Sequence, residues 1–413
     1  MNAPQTPRIK PVRSLKARLK GIDIPLLVTV LTLLAFGLLM VYSASWKYSI
    51  QMGQTYTYMF TRQLMWAVVG SVVAIGISLI DYHRYRRLVL PMMYIVLFLL
   101  ILMLFWLGET RFGARRALFG GSIQPSELAK LGVIVYLSFW LFSKREKMNQ
   151  VSFGLIPLLG ILGITAGLIL LEPDISAAAT IIVLGGLMFF FAGGELKQII
   201  LVLAITIVIG WLIVTIFPTG KARLSDYLVG MRDPTLASYQ VKRSIEAIVN
   251  GGAFGVGIGQ SSTKFTGLPV APTDSIFAVI TEEMGFFGAV FTVALYCIFL
   301  WRGLKIAKNA PDLLGKLLAS GVTIWVFLEA FINMAAMVNL LPFAGNALPF
   351  ISAGGSSLVT ALAGIGLLFN VNRSSAIAAK NVERSTSGAV VDLRRRDRRR
   401  RLSRPSYISS SGH

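Results

Sequence analysis

Ten stretches of this chain are apolar over lengths that match, or nearly match, the roughly 30 Å hydrocarbon core of a bilayer, and that repetition restricts the fold before any single residue is considered. They run approximately from Ile24 to Tyr42, Leu64 to Ile80, Leu88 to Leu107, Leu128 to Phe142, Leu155 to Leu171, Ile175 to Ala192, Ile199 to Phe217, Ile276 to Trp301, Leu317 to Leu341 and Ser357 to Asn370. In lipid the backbone polar groups have to be satisfied inside each segment, so runs of this length predict helices. The expectation is an all-α polytopic integral membrane protein with about ten transmembrane helices and a large outer loop between helices 7 and 8. Composition agrees, with 55% hydrophobic and only 14% charged residues. Basic residues precede the first run and small residues, Ser43-Ala44-Ser45, follow it, as in a secretory signal, but the run is too long for one and reads as a retained span.

The net charge of +21, from 40 Lys+Arg against 19 Asp+Glu, raises the question of nucleic acid, and position answers it. The cations gather in short connections and in the two tails: Arg8 to Lys20, Arg84 to Arg87, Lys144 to Lys147, Lys197, Arg302 to Lys316, and Arg394 to Arg401. Cytoplasmic loops carry such an excess, so both tails are expected inside, as an even helix number requires. No basic domain remains for a duplex. Two outer segments break the rule: Arg111, Arg115 and Arg116 after the third run, and the long segment 218–273 with Lys221, Arg223, Arg232, Lys242, Arg243 and Lys264. Cations on the far side suit an anionic, phosphate-bearing substrate, or contact with lipid phosphates. Within that segment Tyr239, Ile245 and Ile248 fall at helical spacing on one side, which predicts a short interfacial or re-entrant helix.

One cysteine, Cys297, inside an apolar run, and two histidines, His83 and His413, exclude a disulfide framework within the chain and make a histidine-centred mechanism improbable. Carboxylates must then carry acid–base work. Asp274 stands at the membrane edge directly before the eighth helix, with Glu282 and Glu283 about two turns on. It is either a helix N-cap or a functional carboxylate at membrane depth. At 3.6 residues per turn Asp274 and Thr281 share a face, whereas Glu282 is turned away by roughly 80°. Glu127 and Lys130 open the fourth helix with Ser126 as cap, and Glu172 and Asp174 flank Pro173 in a short outer turn, where helix-end electrostatics competes with catalysis as the explanation. The glycine-dense stretch Asn250 to Gly259, followed by Gln260-Ser261-Ser262-Thr263-Lys264, offers backbone N–H groups to phosphate oxygens or simply allows a tight turn. It is neither a P-loop nor a dinucleotide fingerprint. The last outer loop, Leu348 to Ser357 with Ser356 near its end, is uncharged and looks like a close-packed hairpin or a cavity lining.

Taken together these segments resemble the SEDS family (shape, elongation, division and sporulation), which includes FtsW, RodA and SpoVE. The likeness rests on Met40-Val41-Tyr42-Ser43-Ala44-Ser45, Gly113-Ala114-Arg115-Arg116, Gln124-Pro125-Ser126-Glu127-Leu128-Ala129-Lys130-Leu131, Glu172-Pro173-Asp174, the glycine-rich stretch through Lys264, Thr273-Asp274-Ser275-Ile276-Phe277-Ala278-Val279-Ile280 and Leu348-Pro349-Phe350-Ile351-Ser352. The first of these motifs and the form of the arginine-pair and Gln-Pro-Ser-Glu segments are closer to FtsW than to RodA. Departures from the family pattern are Ala117, Ala353 and Lys242-Arg243. The chain then divides into a basic cytoplasmic tail, 1–21, a ten-helix membrane domain, 22–373, and an Arg-rich cytoplasmic tail, 374–413, expected to be disordered.

The resemblance implies a peptidoglycan glycosyltransferase of the bacterial cytoplasmic membrane. It would polymerise lipid II on the outer face, with a class B penicillin-binding protein transpeptidase and other divisome membrane proteins as partners. In this reading Asp274 is the general base and Arg115, Arg116 and Lys264 hold the leaving pyrophosphate, with Glu127, Lys130, Glu172, Asp174, Glu282, Glu283 and Ser356 in support. No cofactor is demanded, although a divalent cation, Mg or Mn, could share the charge. The rival readings are a lipid II flippase, which should show inverted repeats that are not seen here, and an idle scaffold for cell-wall enzymes.

Overall fold

The computed structural model describes the backbone of residues 22–401 except 108, 112–113, 118–123, 149 and 217; the side chains of 106–123, 381–401, 147, 196, 199, 209, 212–214, 218 and 219 also lie outside the described set. In chain order the elements are α1 (Ile24–Gln51), α2 (Tyr58–Leu79), α3 (Val89–Leu102), a hairpin of β1 (Glu109–Arg111) and β2 (Ala114–Ala117), α4 (Pro125–Lys144), α5 (Leu155–Leu171), α6 (Ile175–Phe191), α7 (Leu196–Ile216), α8 (Pro218–Arg232), α9 (Tyr239–Gly251), α10 (Thr263–Thr266), α11 (Ile276–Lys308), α12 (Leu313–Met337) and α13 (Gly355–Arg401). Among the described residues, α1, α2, α4, α11, α12 and the first part of α13 are long and apolar enough to cross a membrane, and α3, α5 and α6 are shorter apolar helices. With α7 these are the ten segments expected from hydropathy. Several run past the apolar stretch that predicts them. Helix α1, for instance, continues beyond Tyr42 to Gln51, because its backbone ladder persists where the side chains turn polar.

Helices α2 and α13, α11 and α12, and α1 and α11 pack along their lengths, and among the best buried groups Leu26, Met40, Trp325 and Leu368 belong to this inner set. The faces turned outward stay apolar, with Tyr94, Phe98, Ile207 and Phe286 all exposed, as lipid-facing residues should be. Connections alternate between two ends of the bundle. One end carries the hairpin, the 172–174 turn, α8 to α10 and the loop 338–354; the other carries the 80–88, 145–154 and 309–312 turns.

Between α7 and α11 the chain forms helices, and in α9, where the sequence predicts a short interfacial or re-entrant helix, the small residues pack inward while Tyr239 stays outward. The packed residues are Val241, Ser244, Ala247 and Gly251, while Tyr239 is 61% exposed. Close approach decides this: a Cβ at Gly251 would lie 2.1 Å from the Thr281 carbonyl, so only the small-residue face can seat on α11. The polar stretch from Asn381, expected without structure, continues α13 as helix to Arg401, consistent with its content of good helix formers.

At the end away from the hairpin, His83 ties two turns together. Its Nδ1 lies 2.7 Å from Asp81 Oδ1 and its Nε2 2.6 Å from Asp312 Oδ2. Tyr82 donates its hydroxyl to Asp312 (2.9 Å) and its backbone N–H to Asn370 Oδ1 (3.2 Å). The bond to Asp312, then that to Asp81, raises the His83 pKa to about 9. The bond from His83 lowers that of Asp81; burial alone would raise that of Asp312, but the His83, Gly315 and Tyr82 bonds outweigh it and hold it low. The imidazolium contribution to stability is therefore complete below about pH 6.5, the unfolded value, and is lost as pH rises through about 9. The thermal midpoint of the purified protein should fall across that window, and His83→Gln should flatten the fall; an equal slope in both would show that this bridge does not couple to folding.

Candidate functional site

The backbone around Asp274 is fastened from outside its own helix. Three consecutive carbonyls each accept a bond: Pro272 from the Ala353 N–H (2.8 Å), Thr273 from the Ser352 hydroxyl (2.7 Å) and Asp274 from the Asn333 side-chain amide (2.8 Å). The same Asn333 nitrogen donates to the Asn346 carbonyl (2.6 Å). Gln63 of α2 completes the frame, donating to the Ser352 carbonyl (3.0 Å) and accepting from the Gly354 N–H (3.1 Å). The N-cap of α11 is Ser275, not Asp274 as the sequence allows. Asp274 is half-buried, and a Cβ added at Gly345 would come 3.5 Å from its Oδ2.

Glu282 and Glu283 lie deeper and face elsewhere. Glu282 is fully buried and accepts from the hydroxyls of Ser261, Ser262 and Thr263 and from the N–H groups of Ser262 (3.1 Å) and Thr263 (3.3 Å). The hydroxyl run after the glycines therefore serves a carboxylate of the protein itself. Glu283 pairs with Lys264 Nζ (2.6 Å) and accepts from the Ser43 hydroxyl of α1 (2.6 Å). The other two Lys264 bonds go to the Gly259 carbonyl (2.9 Å) and Ser43 Oγ (3.2 Å), which uses the three donors of an ammonium. Lys264, expected on a phosphate, is found as a buried ion-pair partner, though with Ser43 and Gly259 it borders a recess of about 400 Å³ walled by Tyr42, Trp46 and Tyr56.

The glycine-rich loop has a structural occupation as well. Val256 and Gly257 donate their N–H groups to the Glu282 and Glu283 carbonyls (both 3.0 Å), while Phe286 donates to Gly252 (2.9 Å). These bonds are open because α11 breaks at Gly285, whose φ of +66° is in the left-handed region. A Cβ at Gly255 would lie 2.2 Å from the Glu283 carbonyl oxygen, so the loop can approach only without a side chain. Of the two readings the sequence leaves open, the described contacts are those of a packed turn.

A second ionic group sits between α4 and α12. Lys130 contacts Glu127 (2.8 Å) and Glu329, and all three are buried. Two carboxylates against one ammonium make a buried network in which the cation is over-matched. Helix α4 is capped by Gln124 with Pro125 in its first turn, rather than by Ser126. Ser126 instead donates to Asp174 (3.3 Å), as does the Gln124 side chain (3.1 Å), while the Gln124 backbone N–H donates to Ser356 Oγ (2.9 Å). Asp174 caps α6 through the Ala177 N–H (3.1 Å), and Glu172 is buried beside it at the end of α5. These residues lock the outer ends of α4, α5, α6 and α13 together.

Arg115 and Arg116 lie on β2, with Arg115 in register with Thr110; their side chains are outside the described residues. Among the described residues no three His, Cys, Asp or Glu side chains gather where they could hold a metal ion. The residues that sequence reasoning missed are Asn333, Gln63 and Glu329, and Ser352 stood only as part of a loop motif with no role of its own. Asn333 and Glu329 carried a signal, since each is a polar group in an apolar run and such groups are costly in lipid. Gln63 and Ser352 act through loop contacts that no spacing announces.

Residues 24–377 match the family model FTSW_RODA_SPOVE, described as cell cycle protein. The chain is 36% identical over 367 residues to the probable peptidoglycan glycosyltransferase FtsW of Trichlorobacter lovleyi, covering 87% of this chain and 96% of that protein. It is 35% identical over 358 residues to stage V sporulation protein E of Bacillus subtilis, covering 86% and 97%. Among solved structures, a chain from work described as structural coordination of polymerization and crosslinking by a peptidoglycan synthase complex superposes with a TM-score of 0.71 at 26% identity, covering 86% of this chain and 98% of that one. The rod shape determining protein RodA of Thermus thermophilus does so with a TM-score of 0.63 at 25% identity, covering 86% and 97%.

The Lys264–Glu283 pair yields a stability test. Removing one partner of a buried pair strands the other and costs about 3–5 kcal/mol, whereas replacing both with apolar groups is often close to neutral. Lys264→Met should lower the thermal midpoint sharply and adding Glu283→Leu should restore most of it; simple addition of two losses would mean that the pair is not coupled.

Proposed function

The chain belongs to the FtsW/RodA/SpoVE family of cell cycle proteins, and on that footing we propose that it is a peptidoglycan glycosyltransferase acting on lipid II. In this reading Asp274 removes the proton from the acceptor sugar hydroxyl. The oxygen attacks the anomeric carbon of the growing, polyprenyl-pyrophosphate-linked strand, the bond from that carbon to the pyrophosphate oxygen breaks, and configuration inverts. The proton stays on Asp274 until solvent or the departing pyrophosphate takes it. The observation that carries the reading is the triple fastening of residues 272–274, which holds one half-buried carboxylate in a fixed backbone setting, as a positioned base requires.

Negative charge develops on the leaving pyrophosphate, and cations fixed at the membrane surface stabilise it. Arg115 and Arg116 on the hairpin take that role here. Lys264, bound to Glu283, fixes the loop beside α11 instead. The hairpin end faces away from the cytoplasm, since Arg84, Arg86, Arg87, Lys144, Arg145, Lys305 and Lys308 gather at the other end, and both tails lie inside. The likeness to FtsW proteins supports a septal role in cell division. The likeness to a peptidoglycan synthase complex supports a class B penicillin-binding protein transpeptidase as partner, with other divisome membrane proteins around it.

Purified protein reconstituted with labelled lipid II and its partner should make glycan polymer; movement of label between leaflets without polymer would establish a flippase instead. Asp274→Asn should reduce polymer by at least about 100-fold while the fold is kept, the scale of a lost general base. Normal polymer from that variant sinks the assignment. Asn333→Ala should lower kcat by about 10–100-fold at a temperature where the variant is still folded, because a base displaced by a fraction of an ångström loses its geometry; an unchanged kcat would show that the amide does not position Asp274.

A further inference from the structure

Among the described residues, four that are not glycine have a left-handed backbone: Pro173, Val270, Asn339 and Phe350. The conformation is costly for any residue with a side chain, most of all for a β-branched one, and such outliers gather at functional sites. Three of the four have a local reason. Pro173 and Asn339 directly follow the C-caps of α5 and α12, where a left-handed residue ends a helix. Phe350 is 2% exposed, with its ring 6.2 Å from that of Phe299, so packing holds it. Neither reason applies to Val270, which is half-buried, β-branched and held at a φ of +44° in the loop before α11. What its conformation achieves is seen at its carbonyl. That oxygen accepts from the Thr273 N–H (3.0 Å), the Thr273 hydroxyl (3.1 Å) and the Ser275 N–H (3.5 Å), so the residues on both sides of Asp274 are tied to one atom.

Resting on the polymerase reading above, we propose that Val270 is a positioning residue for the glycosyl transfer, a stiff left-handed joint that fixes the backbone from which the Asp274 side chain extends. The carbonyls of residues 272–274 are held from outside by Ala353, Ser352 and Asn333, and the Val270 oxygen holds the amides on either side of Asp274 from within the loop. Glycine would take the same φ without strain, but it would also roam over both signs of φ. A residue with a Cβ has only a small left-handed well, so the strain and the stiffness are two sides of one choice. Stability is exchanged for geometry, which a base held to a fraction of an ångström requires. Val270 acts only through Thr273 and Ser275, not on the reacting atoms.

Two variants separate the joint from the side chain: Val270→Gly frees the backbone, and Val270→Asn keeps a Cβ in a residue that tolerates the left-handed region. Hydrogen exchange of the full-length protein in nanodiscs, read by mass spectrometry, reports the tie itself. In Val270→Gly the peptide spanning 271–276 should exchange at least about tenfold faster than in wild type while other peptides are unchanged, and Val270→Asn should stay within about twofold. With lipid II and the partner, Val270→Gly should lower kcat by about 10–100-fold at an unchanged KM, and Val270→Asn should keep most of the rate. Unchanged exchange or unchanged kcat in Val270→Gly overturns the proposal. So does an equal loss in both variants, which would assign the effect to the missing valine side chain, or faster exchange throughout the bundle, which would make Val270 an ordinary packing residue. The two readings fail separately: no polymer from wild type refutes the polymerase whatever the exchange shows, whereas unchanged exchange in a protein that does polymerise refutes the joint alone.

Discussion

The arrangement at the hairpin end depends on a small set of bonds to the backbone of residues 272–274. A half-buried carboxylate at the membrane edge has to be positioned by something stiffer than its own side chain, and here the stiffness comes from carbonyls held in series by Ala353, Ser352 and Asn333. Those donors come from the far end of α12 and from the loop that leads into α13. Gln63 then ties that loop to α2. The geometry of one acid is thus shared among α2, α11, α12 and α13, the helices that form much of the packed centre.

Most of the charge inside the bundle is matched by an opposite charge or by hydrogen-bond donors, which lowers the cost of burying it, although Glu127 keeps one buried carboxylate oxygen without a partner. Glu283 has an ammonium and a hydroxyl, and Glu282 has hydroxyls and N–H groups around both of its oxygens. Lys130 is gripped by two carboxylates. Each group joins segments distant in sequence, Ser43 to Glu283 and Lys130 to Glu329 for example, so the same interactions that lower the cost of the charge also define how the helices dock.

Much of the architecture was legible because hydropathy reports directly on what lipid accepts. The ten runs follow from that one constraint, which also singles out Asp274, Glu282 and Glu283 as carboxylates at membrane depth. Partner choice did not follow. Lys264 reads as an exposed cation because the sequence cannot show that Glu283 and Ser43 close around it, and the hydroxyl run beside it reads as an anion cradle because the anion turns out to be Glu282. The packed face of α9 was not legible either, because it is set by the approach distance that its smallest residues allow against α11. Asn333 went unremarked although an amide in an apolar run is a signal of the same kind as a carboxylate.

The break at Gly285 changes how α11 transmits force. A continuous rod from Ile276 to Lys308 would make any tilt at one membrane face move the other by leverage. Interrupted ten residues in, with the glycine-rich loop bonded across the gap, the rod becomes a short upper strut on a separate lower shaft. Thermal rocking of the lower shaft among lipids is absorbed at the joint, and the strut below Asp274 answers to its neighbouring loops instead of to the bilayer.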